Sequence, residues 1–101
     1  MAIYYTTYKK PQEVLPKNGQ YFSVGEIVSL LGPEIECLYN GHDDFVVFVQ
    51  IQSRIEQEIP PVDLEENRKQ WILERLVRLY YDKLTDVYGE IVVCSKAEVN
   101  F

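Results

Sequence analysis

The sequence predicts an α+β fold: a small, mostly antiparallel sheet of about four strands, with one short and one long helix covering one face. Three observations carry this. Four short runs are rich in β-forming residues, the apolar period changes to 3.6 after Pro60-Pro61, and Asn-Gly and Gly-Pro pairs punctuate the boundaries. The chain has 101 residues, 47% of them hydrophobic and 26% charged, so it can bury one ordinary core and is expected to form a single domain over 1–101. An aromatic content of 13% argues against disorder.

The first strand is expected over 2–8, where Ile3, Tyr5 and Thr7 alternate with Tyr4, Thr6 and Tyr8. Pro11, Pro16 and Asn18-Gly19 make 9–20 read as a surface loop. Ser23 and Glu26 have capping-box spacing at the start of a short helix with Ile27, Leu30 and Leu31 on one face, and Gly32-Pro33 stops it with a left-handed cap. Residues 34–39 alternate as a strand, with Ile35, Cys37 and Tyr39 on one side. Asn40-Gly41 then turns the chain into the nearly continuous apolar run 45–51, expected to be central or covered on both faces. Asp63 and Glu66 repeat the capping spacing, and no Gly or Pro interrupts the long helix to about Leu84. A last strand is expected over 88–94.

Sixteen Asp and Glu against ten Lys and Arg give a net charge of −6 and a pI near 4.7, which disfavours nucleic-acid binding through a broad basic surface. No run reaches the roughly 20 apolar residues of a membrane span, and the first residues lack a signal-peptide layout, so a cytoplasmic protein without membrane contact is expected. Cys37 and Cys94 lie in apolar runs with no second Cys or His at ligand spacing, and are read as reduced, buried thiols.

Catalytic chemistry finds no foothold in this sequence. His42 is the only histidine, beside Asp43 and Asp44 in the hairpin turn, where adjacent side chains diverge; a solvated turn tip is the simpler reading. There is no Gly-rich phosphate loop, nucleophile elbow or His-x-x-x-His pair, so no enzyme, cofactor or metal is expected.

The long helix carries the most informative pattern. Leu73, Leu76, Val77, Tyr80 and Leu84 form its core stripe, with Ile72 and Leu79 at a shoulder, and Trp71 points away from it. Arg68, Arg75 and Arg78 surround Trp71 at helical spacing, the composition of binding hot spots and of sites that stack a planar anion. Arg68, Trp71, Arg75 and Arg78 are therefore the candidate ligand- or partner-binding residues, expected to contribute little to the fold. Against this stands the plainer reading that Trp71 covers a second patch of the protein, with arginine stems lying over it. Residues 63–84 hold five acidic and five basic side chains, so the net charge of −6 lies in the rest of the chain and marks an acidic surface that could meet a basic partner.

Asn18-Gly19, Phe22-Ser23 opening the short helix, Leu31-Gly32 closing it, Ile35-Glu36, Asn67 and the stretch 86–94, in that order, resemble a family of small phage- and plasmid-borne domains of unknown function. The resemblance covers most of 18–94 and consists of caps, turns and core positions. It implies a mobile-element setting and transfers no catalytic residues. Together these readings point to a non-catalytic binding protein of a mobile genetic element, acting in counter-defence by blocking a host protein or sequestering a nucleotide signal. Its partner would be a protein or a small anionic nucleotide-like ligand. The alternative is a structural or regulatory accessory domain that works by homo-oligomerisation.

Overall fold

The computed structural model describes residues 2–7, 10–52, 60–80 and 86–99, with the backbone alone for 77–80. In chain order the elements are β1 (Ala2–Tyr5), β2 (Gln12–Val14), α1 (Val24–Leu31), β3 (Ile35–Leu38), β4 (Phe45–Gln50), α2 (Glu66–Tyr80), β5 (Ile91–Ser95) and a 3-10 turn (Lys96–Glu98). The fold is α+β, as expected, but the sheet has five strands in the order β2-β1-β5-β4-β3, every neighbouring pair antiparallel. The additional strand is β2, inside the stretch read as a loop. Its three residues show almost no apolar alternation; they pair with β1 at the sheet edge, Ala2 opposite Val14 and Tyr4 opposite Gln12, and Val14 alone packs against the core.

A second correction concerns the helices. They do not share a face of the sheet: one lies on each side. Because successive strand residues point to opposite faces, β4 feeds two cores. Val47 and Val49 join Leu38, Ile91 and Val93 beneath Ile72, Leu73 and Leu76 of α2. Val46 and Phe48 join Ala2, Val92 and Cys94 beneath Ile27 and Leu31 of α1, with Phe22 closing that layer. The unbroken apolar character of β4 is thus explained by cover on both faces, and each such side chain removed from water contributes about 1.5–3 kcal/mol.

Local signals set the boundaries. Ser23 Oγ accepts from the Glu26 amide and the Glu26 carboxylate from the Ser23 amide, so the capping box forms as read. Gly32 ends α1 at φ 87°, ψ 174°, an extended mirror-image conformation open essentially to glycine alone, instead of the left-handed cap. Helix α2 starts at Glu66, later than a cap at Asp63 would place it, because Glu65 accepts the first helical bond from Lys69 and Val62 is tied to Val87 at 2.9 Å. Position 84 of the expected core stripe and the side chains of Val77, Leu79 and Tyr80 lie outside the described residues.

Two glutamines extend the β4–β5 ladder beyond its backbone register. Gln50 accepts from the Glu90 amide and donates to Leu31 O of α1, and Gln52 both accepts from and donates to the backbone of Tyr88. Tyr4 donates to the Glu90 carboxylate, and burial, reinforced by Glu90, pushes its phenol pKa upward.

Candidate functional site

The turn between β3 and β4 is held from several sides. Asn40 Oδ1 accepts from the amides of His42 and Asp43 at 2.9 and 2.8 Å, an Asx turn that needs no apolar contact to form. The 3-10 turn after β5 grips it as well: Lys96 N donates to Asp44 O at 2.8 Å and Lys96 Nζ to Asn40 O at 2.6 Å.

From the α2 side, Trp71 Nε1 donates to Asp43 Oδ2 at 2.7 Å. The indole is half-buried, with its ring 4.8 Å from that of Phe45 at 47°, and it packs against the core under α2. The expectation of an indole left in water is therefore corrected. The turn supplies a carboxylate and the first residue of β4 a ring that cover Trp71, which a helical wheel of α2 alone has no means of showing.

The arginines extend this ring pair into a chain of contacts, the arginine stack. The Arg68 guanidinium carbon lies 4.1 Å from the centroid of Phe45, and that of Arg75 lies 3.9 Å from Trp71, giving the order Arg68, Phe45, Trp71, Arg75. Arg75 Nη1 donates to Trp71 O at 2.9 Å and lies 3.6 Å from Glu74, while its buried Nε has no hydrogen-bond partner among the described residues. Arg68 makes no ion pair with a described residue. The Arg78 side chain lies outside the described residues, one turn further along α2. The Trp71 N–H, opposed by partial desolvation and supported by Asn40, Arg75 and Lys96, holds the Asp43 carboxyl below the usual range.

His42 is exposed at the turn tip, and among the described residues no group of three His, Cys, Asp or Glu could hold a metal. Cys37 and Cys94 are free thiols. They flank β4, opposite Phe48 and Val46, so two strand spacings of about 4.8 Å separate their backbones, beyond the reach of a disulfide. No helix among the described residues is long and apolar enough to cross a membrane. No protein-family model, curated protein or solved structure matches the chain.

Sequence reasoning grouped Arg68, Trp71 and Arg75, and the structure brings these three together. It missed Phe45 and Asp43 as their partners, and it missed Lys96. The one local signal for the turn's role was Asn40, whose side chain is suited to organising the residues that follow it.

Proposed function

We propose that the protein is a non-catalytic binding protein that engages a carboxylate- or phosphate-bearing partner through Arg68 and Arg75. The supporting observation is that both guanidiniums are fixed by stacking on rings, with no carboxylate forked against them among the described residues. A guanidinium held over an aromatic ring has already lost much of its side-chain freedom, and the donors it does not spend within the chain can meet a second partner. Trp71 serves this reading as a platform, since its own N–H is taken. The mobile-element setting, and with it blockade of a host protein or capture of a nucleotide signal, rests on the resemblance of residues 18–94 alone.

Because Arg75 covers the indole, Trp71 emission reports on the site. Titration with nucleoside phosphates and with acidic peptides should shift it saturably and less at high salt. Arg68→Lys with Arg75→Lys keeps the charge but removes the fork, and should weaken binding about tenfold in a protein that still folds cooperatively, with a somewhat lower unfolding midpoint. Binding unaffected by the double variant, or no response to either class of anion, would count against the reading. Emission that varies with protein concentration alone would favour homo-oligomerisation instead.

A further inference from the structure

We propose a second binding site, on the opposite side of the same turn, for a small aromatic carboxylate. It is a cleft of about 530 Å³ lined by Tyr39, Asn40, Gly41, Val46 and Lys96. Phe45 faces α2, and Val46, its neighbour, faces the α1 side, so the cleft uses none of the residues of the arginine stack. Its volume falls within the range of small-molecule sites.

The lining specifies the ligand. Tyr39 is 63% exposed, an aromatic ring that its own chain leaves uncovered. Beside it, a Cβ built on Gly41 would meet nothing within 4 Å, so a flat body can lie along that backbone, and Val46, buried in the core beneath α1, closes the floor of the cleft. The polar feature is the Lys96 ammonium, held in place by its 2.6 Å bond to Asn40 O. An ammonium has three donors, and this bond uses one of them. One fixed cation beside apolar lining matches one carboxylate on an apolar body. A phosphate dianion would call for a second cation or a set of backbone amides, and the cleft lining has neither. The ligand ring would stack on Tyr39 and its carboxylate would accept from Lys96 Nζ.

The test uses the full chain and two probes of equal shape, 2-naphthoate and the neutral 2-naphthylmethanol, followed by backbone amide shifts. Saturable shifts centred on Tyr39, Gly41, Val46 and Lys96 are expected, with the acid binding at least about fivefold tighter than the alcohol, as a charge-assisted hydrogen bond requires. Lys96→Gln should abolish that preference and leave the alcohol's affinity as it was. Gly41→Val fills the cleft from a residue whose backbone has no left-handed φ, and both probes should then lose binding. Shifts centred elsewhere, an acid preference that survives Lys96→Gln, or unchanged binding to Gly41→Val would each overturn the site. Should Lys96→Gln fail to fold, Gly41→Val decides alone.

Discussion

Trp71 of α2 donates its indole N–H to Asp43 at 2.7 Å, so a turn 28 residues upstream in the chain is bonded directly to the long helix. This contact, with the Phe45 ring behind it, makes Trp71 part of the fold as well as part of the candidate site.

Trp71→Ala is accordingly expected to destabilise the protein by about 3 kcal/mol, the lower end of the cost of deleting a large aromatic, because the ring is only half-buried. Trp71→Phe should recover part of that by retaining the packing without the N–H. Urea unfolding of the three proteins checks this. Trp71→Ala combined with Arg75→Ala, which the sequence reading expected to leave the fold intact, should be less stable still; a midpoint equal to wild type would return Trp71 to the surface.

Acid should remove the Asp43 contribution in a defined direction. Its folded-state pKa is lowered, chiefly by the Trp71 N–H, so its contribution is fully present above the unfolded value near 3.9 and is lost as pH falls through the folded value. Asp43→Asn should be less stable than wild type at pH 7, and the two stabilities should converge as the pH drops below the carboxylate range. A difference that stays constant down to pH 2 would show that the charge on Asp43 plays no part.

The thiols should differ in reactivity. Burial, with a smaller effect from Cys37, pushes the Cys94 thiol up to about 12, and burial also raises Cys37. Iodoacetamide at pH 8, followed by mass spectrometry, should label half-buried Cys37 slowly and Cys94 more slowly still, with both labelled promptly in urea. Mild oxidation should leave no intramolecular disulfide, since β4 lies between them.

The two cores should behave independently. Ile27 lies under α1 and Ile72 under α2, with the sheet between them. Ile27→Val and Ile72→Val should each cost about 1 kcal/mol, and the double variant the sum within about 0.5 kcal/mol. A coupling larger than that would place the helices on one face. Native-state hydrogen exchange should find the slowest amides among Val46 to Val49 and in β5.

Local features were legible because their causes are local. Ser23 and Glu26 announce α1 at a spacing of three residues, Asn40-Gly41 announces the hairpin, and the unbroken apolar run of β4 announces cover on two faces. The helix side of the site was legible for the same reason, since Arg68, Trp71 and Arg75 recur at helical spacing. Asp43 and Phe45 were not, because their link to Trp71 is made by tertiary packing across a long stretch of chain. Strand β2 was hidden by composition: Gln12 and Glu13 are ordinary loop residues, recruited to an edge by backbone bonds to β1. Gln50 and Gln52 likewise look like the polar end of a strand, and only the approach of Tyr88 and Glu90 makes them part of the ladder.

The position of β5 bears on how the molecule can be made. Val93 sits between Ile3 of β1 and Val47 of β4, so the strand synthesised last among the five is the one that joins the other four. A ribosome adding about 5–20 residues per second takes roughly five to twenty seconds to travel from β1 to β5. Once β4 has been made, and until β5 follows, the nascent chain can hold only two separate ribbons, β1 with β2 and β3 with β4, whose inner edges display unpaired backbone and the valines of β4. Vectorial synthesis therefore leaves this sheet open at its centre until its final strand emerges, and that is the interval in which a chaperone would have the most to shield.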